Sequence, residues 1–263
     1  MSKLTNIREN SPLIVCYTND VVKNFTANGL ISLGASPAMS EEPEEAEEFS
    51  KAAGAFLLNI GTITTDKAYD MKKYAEIMHG NGVPVVLDPV AVGASQLRKT
   101  FCKTLLNDEV VDIIRGNASE ILALIEEDTI MKGTDSDDTL DAIKIAKKAH
   151  QQLKLPIIIT GKVDVIACNN KIIELHNGSE MLTKVTGGGC LLGGVIAAFL
   201  SHEKTITIDV LEEALSTYNI ASELAYQQPG AHLPGTFQIS FIDQLNVITE
   251  ELVNEKKIVK VVN

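Results

Sequence analysis

The sequence predicts an α/β fold in which a largely parallel central sheet is covered by helices on both faces. Short β-branched runs alternate with longer helical patterns, which is typical of βαβ units. Several runs, such as residues 83–87 and 157–159, are apolar at nearly every position, which indicates strands buried on both faces. No Pro-, Ser- or Gly-rich stretch resembles a linker, so residues 1–263 are expected to form a single domain.

The apolar, β-branched runs define the predicted strands, and the longer mixed runs define the predicted helices. Strands are expected at residues 13–17, 55–60, 83–88, 110–114, 156–160, 163–168 and 171–175. The short Asn-Asn connection between the last two strands indicates a hairpin. Helices are expected at residues 20–33, 66–79, 118–127, 137–153, 190–201, 209–227 and 241–255, so the chain is predicted to be almost wholly helical from residue 190 onwards.

Charge and cysteine content argue against several classes of partner and site. Lys and Arg number 23 against 35 Asp and Glu, a formal charge of −12, and no nucleic-acid partner is expected because phosphate backbones require a basic face. The 4 cysteines are far apart, without a C-x-x-C pair, so neither a zinc site nor a disulfide framework is predicted. Reduced thiols and the lack of a run of about 18 apolar residues favour a cytoplasmic enzyme without a membrane span.

A glycine-rich turn that leads into an apolar helix is the strongest local signal for a binding site. Gly187, Gly188 and Gly189 expose backbone N–H groups, and the helix start adds the positive end of its dipole. We therefore predict an anion site formed by these glycines and Cys190. The turn is not a Walker A loop, and it fails the dinucleotide fingerprint at Leu192. The alternative is a flexible loop whose helix start packs close to a strand.

Cys190 lies in the first turn of that helix. A helix N-terminus lowers the pKa of a thiol, and a thiolate is able to accept a proton from an attacking alcohol. A small, buried, apolar cysteine is the alternative interpretation.

Three charged residues follow predicted strands at the edge of the sheet where ligands bind in α/β folds. Asp88 and Glu120 are candidates to hold Mg²⁺ directly or through water, and Arg115 is a candidate clamp for a nucleotide phosphate. Each residue also has an ordinary structural explanation: Asp88 as a turn former, Glu120 as a charge at a helix start and Arg115 as a surface charge. Their joint placement favours phosphoryl transfer, which needs a metal, a cationic clamp, an anion cradle and a base.

Two further residues have ordinary explanations when each is considered alone. Asn19 is well placed to cap the first predicted helix, and Met39 is an apolar side chain in the turn after Ser36-Pro37, where core packing explains it.

Taken together, these stretches resemble the hydroxyethylthiazole kinase family. The matching blocks occur in the family's order and span residues 12 to about 195: Pro12-Leu13, Thr18-Asn19, Asn24-Phe-Thr-Ala-Asn-Gly29, Gly34-Ala-Ser-Pro-Ala-Met39, Asn59-Ile-Gly-Thr62, Leu87-Asp-Pro-Val90, Arg115-Gly-Asn-Ala-Ser-Glu120, Thr160-Gly161 with Asp164, and residues 185–193. The resemblance implies a ribokinase-like fold and transfer of the γ-phosphoryl group of ATP to 5-(2-hydroxyethyl)-4-methylthiazole in thiamine salvage. It also implies a homotrimer with active sites at subunit boundaries.

The resemblance further implies a role for each matching residue. Met39, Gly187 and Asn19 would bind the thiazole. Arg115 and Thr160 would bind ATP, and Asp88 and Glu120 would surround Mg²⁺ and the phosphates. Cys190 stands where the wider superfamily usually places an aspartate base.

The sequence departs from the family pattern at two places. The stretch Val15-Cys-Tyr-Thr-Asn19 lacks the histidine that the family often has before it. Gly188 replaces the usual Thr, Ser or Ala, which keeps the backbone donors but removes any hydroxyl contact and loosens the loop.

Three alternative functions remain open at this point. Besides a thiazole kinase, the sequence is compatible with a kinase for another small alcohol such as a hydroxymethylpyrimidine. It is also compatible with a catalytically silent sensor of a thiazole or thiamine precursor, or with a nicotinamide-dependent reductase. Met39 and Cys190 favour the thiazole over the pyrimidine alcohol, and the complete set of Asp88, Arg115, Glu120 and Cys190 favours an enzyme over a sensor. The failed dinucleotide fingerprint argues against the reductase.

Overall fold

A nine-stranded mixed sheet forms the centre of the molecule, in the order β2-β1-β3-β4-β5-β6-β7-β8-β9. The structure is a computed structural model that describes residues 3–125 and 141–262. Its strands are β1 (Leu13–Tyr17), β2 (Ser36–Ala38), β3 (Ala53–Asn59), β4 (Val85–Asp88), β5 (Ile113–Asn117), β6 (Ile157–Thr160), β7 (Asp164–Cys168), β8 (Lys171–Leu175) and β9 (Val259–Val262). Strands β1 to β6 are parallel, and β7, β8 and β9 add antiparallel pairings.

Helices cover both faces of the sheet, as the buried strands predicted. They are α1 (Lys3–Asn10), α2 (Lys23–Leu33), α3 (Ala46–Ser50), α4 (Thr65–Gly80), α5 (Gln96–Asn107), α6 (Ala118–Ile125), α7 (Ala142–Leu153), α8 (Gly188–Leu200), α9 (Ile208–Tyr226), α10 (Pro234–Val247) and α11 (Glu250–Lys256). Helices α1, α2 and α8–α11 contribute to one apolar cluster, and α3–α7 contribute to the other. The sheet separates the two clusters. Successive side chains of β1 point to opposite faces, so Ile14 belongs to the first cluster and Val15 to the second.

Helix α8 packs close to β3 and α2 because glycine leaves no side chain at the contacts. A Cβ atom at Gly193 would lie 2.8 Å from Leu57 of β3, and one at Gly194 would lie 3.2 Å from Leu30 of α2. The helix carries no charged residue, and nearly all of its residues are buried. Its N-terminus is therefore held against the carboxyl ends of the central strands.

Side-chain caps fix where several helices begin. Thr64, Ser95, Asp141, Thr207 and Thr249 each accept a hydrogen bond from a backbone N–H in the first turn of α4, α5, α7, α9 and α11 respectively. Such caps satisfy N–H groups that have no partner within the helix.

The predicted α/β architecture is confirmed, and the differences lie in particular elements. The prediction of one helix over residues 241–255 is wrong: α10 ends at Val247, Ile248 adopts an extended ψ of 140°, and Thr249 caps α11. The sequence also did not identify α1, α5, or the edge strands β2 and β9. Residues 126–127 and 137–140, the end of one predicted helix and the start of another, lie outside the described residues.

Among residues 3–125 and 141–262, no helix combines the length and apolar character required to cross a lipid bilayer.

Candidate active site

The predicted site residues meet where the parallel strands end. Asn19 follows β1, Asn59 ends β3 and Asp88 ends β4, while Thr160 ends β6. The register places Asn59 opposite Asp88 and Asn117 opposite Thr160. Because all these strands are parallel, their carboxyl ends lie along one edge of the sheet.

Asn59 links the two halves of this edge. Its side-chain amide donates to Asp88 Oδ2 at 2.6 Å, and its Oδ1 accepts from Asn19 Nδ2 at 3.0 Å. Asn19 Nδ2 also lies 3.4 Å from Cys190 Sγ as its donor. A Cβ atom at Gly61 would lie 2.7 Å from Asn19 Nδ2, so glycine is required beside this amide. Asn59 therefore connects the predicted thiazole side of the site to the predicted metal side.

Arg115 is buried, and it contacts both neighbouring strand ends. Its guanidinium donates to Thr160 Oγ1 at 2.7 Å and lies 3.5 Å from Asp88 Oδ2. A Cβ atom at Gly189 would lie 3.0 Å from both terminal nitrogens of Arg115, so the guanidinium lies directly beside the glycine loop. These contacts argue against a surface-charge explanation for Arg115 and place it between the loop and Thr160.

Asp88 has an unusual environment for a carboxylate. It is fully buried, and its Oδ1 has no hydrogen-bond partner among the described residues. Burial raises the pKa of Asp88 to about 6, although the charge of Arg115 lowers it and that of Glu120 raises it further. A buried polar atom without a partner is costly, so this oxygen is available to a ligand.

Glu120 organises the backbone around the two strand ends. Its Oε1 accepts from the N–H of Ala91 at 2.8 Å, and its Oε2 accepts from that of Asn117 at 2.9 Å. Asn117 in turn accepts from the N–H of Glu120 through its side chain, which fixes the start of α6. The carboxylate therefore holds the β4 and β5 loops together, whether or not it also contacts a metal through water.

The carboxylates fit Mg²⁺ that arrives with phosphates rather than a preformed metal cage. No group of three or more His, Cys, Asp or Glu side chains in the described part of the chain is arranged to hold a metal ion. Mg²⁺ commonly uses one or two protein carboxylates and completes its shell with water and phosphate oxygens. The unpaired Oδ1 of Asp88 and the nearby charge of Glu120 match that requirement.

The glycine loop begins α8 as expected. Gly187 adopts a φ of 94°, which favours glycine, and α8 starts at Gly188. A Cβ atom at Gly188 would lie 2.8 Å from the carbonyl oxygen of Leu182. The close approach of that carbonyl explains why glycine is accommodated here, where a larger residue would require the preceding turn to shift.

The prediction that the helix start lowers the pKa of Cys190 is wrong. Burial raises the pKa of Cys190 to about 12, with a further contribution from the negative charge of Asp88, and Arg115 only partly offsets it. The thiol is therefore neutral near pH 7. Loss of hydration outweighs the helix start at this position, and sequence spacing gives no measure of that burial.

Met39 lies immediately after β2, at the same edge as the other residues, because β2 pairs in parallel with β1. Its side chain is partly buried and packs against the apolar cluster that includes Phe25 and Leu191. Core packing therefore explains part of its environment, and no described hydrogen bond links it to the polar residues.

Sequence reasoning assigned no role to three residues that support the site. Asn59 was part of a recognised stretch, and its signal was a polar residue at the end of an apolar strand. Tyr218 and Arg98 gave no signal, because most of the backbone carbonyls that they contact, those of Gly188, Ile60 and Gly61, lie far away in sequence.

Comparisons with known proteins show the family of the chain. A model of the hydroxyethylthiazole kinase family matches residues 4–251. The hydroxyethylthiazole kinase of Staphylococcus epidermidis RP62A is 58% identical over 245 residues, which cover 93% of this chain and 94% of the relative. That of Staphylococcus saprophyticus is 58% identical over 249 residues, 95% of each chain.

Solved structures show the same fold. The hydroxyethylthiazole kinase protein of Pyrococcus horikoshii OT3 matches with a TM-score of 0.88 at 34% identity, over 99% of this chain and 98% of the other. A ribokinase-like superfamily protein of Enterococcus faecalis V583 matches with a TM-score of 0.60 at 13% identity, covering 93% of this chain and 88% of the other, which supports the fold alone. From the match over nearly its whole length and from these relatives, the chain belongs to the hydroxyethylthiazole kinase family.

Proposed function

We propose that the chain transfers the γ-phosphoryl group of ATP to the primary hydroxyl of 5-(2-hydroxyethyl)-4-methylthiazole, in thiamine salvage. Membership of the family supports the reaction. The observation that carries its location is a continuous set of polar contacts, which joins the glycine loop to the strand ends through Cys190, Asn19, Asn59, Asp88, Arg115 and Thr160.

On the nucleotide side, Arg115 and Thr160 bind ATP. The guanidinium lies between Thr160 and the glycine loop, where it is able to hold phosphate oxygens with paired hydrogen bonds. The N–H groups of Gly187, Gly189 and Cys190 at the start of α8 stabilise negative charge on the transferring group, whereas the N–H of Gly188 already donates to the carbonyl oxygen of Val185.

Asp88 and Glu120 are the residues that would hold Mg²⁺, directly or through water. Bound there with the nucleotide, the ion would neutralise charge on the phosphates. Asp88 must be ionised for this role, and Asn59 and Arg115 both favour its ionised form.

On the acceptor side, Met39, Asn19 and Gly187 bind the thiazole alcohol, and Cys190 accepts the proton of its hydroxyl. Asn19 reaches both Asn59 and the thiol, so it is placed between the acceptor and the phosphate-binding residues. Because the pKa of Cys190 is about 12, its thiolate is a strong base that is scarce near neutral pH.

We extend the proposal to a homotrimer with its active sites at subunit boundaries. The resemblance implies this assembly, and the 70% exposed side chain of Val21, two residues after Asn19, supplies apolar surface beside the site. Light scattering coupled to gel filtration measures the mass, and a monomer at the assay concentration would contradict this part of the proposal.

The function is tested by incubating the purified protein with ATP, Mg²⁺ and the thiazole alcohol and measuring the phosphate ester by mass spectrometry. A parallel reaction contains 4-amino-5-hydroxymethyl-2-methylpyrimidine. We expect the thiazole ester to form and the Asp88→Asn variant to form little of it. If an ester formed only with the pyrimidine, the proposal would be replaced by a pyrimidine kinase. If calorimetry showed thiazole binding without release of ADP, it would be replaced by a sensor.

A further inference from the structure

Tyr218 connects the C-terminal helices to the glycine loop. It lies on α9, its side chain is 1% exposed, and its hydroxyl donates a hydrogen bond to the carbonyl oxygen of Gly188, the first residue of α8. Burial raises the pKa of this phenol well above its usual range, so the hydroxyl keeps its proton. Nothing in the sequence pattern or in the proposed chemistry uses this residue.

Aromatic packing holds the phenol in place. The ring of Phe241 on α10 contacts that of Tyr218 edge-to-face, with centroids 4.9 Å apart at 86°, and Phe237 stacks on Phe241 with centroids 5.9 Å apart. Each of these three rings is almost completely buried. Such edge-to-face contacts restrict ring orientation as well as burying apolar area, so the hydroxyl is presented to the loop from a rigid support.

The atom that Tyr218 contacts controls a donor in the proposed anion site. The carbonyl of Gly188 and the N–H of Gly189 belong to one planar trans peptide, and they point in opposite directions. Fixing the oxygen on the Tyr218 side therefore fixes the direction of the Gly189 N–H. That N–H is among those at the start of α8 that have no partner within the helix.

Tyr218 adds an external anchor to the internal hydrogen bonds of the loop, which run from the N–H of Gly188 to the carbonyl oxygen of Val185 at 3.2 Å and from the N–H of Leu191 to that of Gly187 at 2.8 Å. Consecutive glycines at positions 187–189 allow many backbone conformations. A side chain at position 188 is not available to stiffen the turn, because a Cβ atom there would lie 2.8 Å from the carbonyl oxygen of Leu182. Tyr218 supplies the constraint from outside the loop.

We propose that Tyr218 is a positioning residue for phosphoryl transfer, acting through the Gly188–Gly189 peptide to aim its N–H at the transferring group. The inference rests on the proposed function in taking the loop as the phosphoryl site, but it does not depend on which alcohol is the acceptor. Tyr218 itself touches neither the nucleotide nor the acceptor in this role.

The first test is the Tyr218→Phe variant, which keeps the ring and removes the hydroxyl. We expect kcat to fall about 10-fold, less than the 10²–10³-fold typical of deleting a donor, because the N–H remains but loses its alignment. KM for ATP and for the thiazole alcohol should stay within about two-fold, since ground-state contacts are unchanged. Tyr226→Phe, on the same helix at a side chain that is 50% exposed, is the matched control and should behave as wild type.

The second test removes any dependence on the acceptor. Calorimetry measures binding of ADP, Mg²⁺ and aluminium fluoride, which together mimic the transferring phosphoryl group, and of ADP with Mg²⁺ alone. We expect Tyr218→Phe to bind the mimic about 10-fold more weakly and ADP equally well, because only the mimic requires the aligned N–H. Wild-type protein that binds the mimic but forms no thiazole ester would overturn the proposed acceptor and leave this inference standing.

Three results would overturn the inference. One is unchanged kcat and unchanged affinity for the mimic in Tyr218→Phe, and another is no binding of the mimic by the wild type. If Tyr218→Phe does not fold, Phe241→Leu loosens the ring that supports the phenol while keeping its hydroxyl, and kcat and mimic affinity should both fall with KM unchanged. The third result that would overturn the inference is a Phe241→Leu variant with the kcat and the mimic affinity of the wild type.

Discussion

At Cys190, two local effects oppose one another. The start of α8 favours a thiolate, whereas burial and the charge of Asp88 raise the pKa of the thiol to about 12. Burial has the larger effect, so the residue is a neutral thiol in the free protein. An efficient proton acceptor combines sufficient basicity with a sufficient population of its ionised form, and Cys190 has the first without the second.

A carboxylate at position 190 should therefore serve at least as well near neutral pH. We expect Cys190→Asp to keep or exceed the wild-type kcat, because an ionised carboxylate is far more abundant there. Cys190→Ala should lose about 10²-fold, within the usual range for a general base. Steady-state assays of both variants measure this, and wild-type activity in Cys190→Ala would remove the thiol from the reaction.

Asp88 should give the stability of the protein a characteristic pH dependence. Its pKa of about 6 in the folded protein exceeds its ordinary value of 3.8, so the folded state binds this proton more tightly than the unfolded state. The contribution of Asp88 to the free energy of unfolding is fully present below its ordinary pKa and is lost as the pH rises through about 6, by at most about 1.4 kcal/mol per pH unit.

The measurement compares wild type with Asp88→Asn, whose side chain does not titrate. Thermal unfolding midpoints between about pH 4 and about pH 7 should show the wild type losing stability relative to the variant as the pH rises. A constant difference across this range would mean that the carboxylate is not held in the environment described here.

At the residue scale, the predicted strand ends brought Asp88, Arg115 and Glu120 together, and the structure places them close to one another, although Arg115 lies within β5 and not after it. Their roles in catalysis stay predictions. The role of Asn59 was not predictable, since it depends on the two neighbours that its amide reaches across β1 and β4. The pKa of Cys190 was predicted wrongly for a related reason: burial is a property of the assembled fold.

Among the helices, α5 supports the site through a single side chain. Arg98 donates to the carbonyl oxygens of Ile60 and Val90 at 2.5 Å and 2.8 Å, and to that of Gly61 at 2.8 Å. These carbonyls belong to the loops that directly follow Asn59 and Asp88. The guanidinium therefore ties together the ends of β3 and β4, with several donors in one plane.

Replacing Arg98 by Lys should loosen those loops, because an ammonium group does not reproduce the planar fork. We expect kcat to fall about 10-fold together with the unfolding midpoint, since displacement of positioned groups is costly to rate. Arg8→Lys is the matched control: Arg8 also donates to three carbonyls, of Leu33, Leu245 and Asn246, away from the site. It should lower the unfolding midpoint and leave kcat unchanged, and equal kcat in the two variants would contradict the role of α5.

Most elements with a strong apolar pattern were predicted well, although β5 begins at Ile113 and not at residue 110, and elements without such a pattern were missed. The central strands are buried on both faces, so their sequences are nearly continuous apolar runs. Helix α5 is a mixture of polar and apolar residues, and Lys99 is among its buried residues. The break between α10 and α11 depends on the extended conformation of Ile248, and Ile is a residue that gives no turn signal.

In the whole molecule, the site lies where two apolar clusters meet. Helices α2 and α8 approach it from one face of the sheet, and α4, α5 and α6 approach it from the other. Within the site, the guanidinium of Arg115 is buried beside the carboxylates of Asp88 and Glu120. The protein as a whole carries a charge of −12. An approaching nucleotide therefore experiences general repulsion before it reaches local attraction.

Salt should weaken the repulsion between the acidic surface and ATP more than the attraction between ATP and the buried positive charge of the site. Exposed charges are screened by salt, whereas buried charges are screened much less. We expect KM for ATP to fall as the ionic strength rises from about 0.02 M to about 0.2 M, with Mg²⁺ kept saturating. Initial rates over a range of ATP concentrations measure the effect. A KM that rises with salt would indicate that exposed positive charge guides the nucleotide.

The apolar character of α8 has a consequence for the chemical step itself. A helix without charged side chains, enclosed by its neighbours, keeps counter-ions away from its length, so the potential at its first turn is set by the backbone dipoles and by the buried charges of Arg115 and Asp88 beside it. Substitutions that alter the outer charges of the molecule, accumulated during divergence or introduced by design, should then adjust nucleotide capture while the intrinsic turnover stays the same.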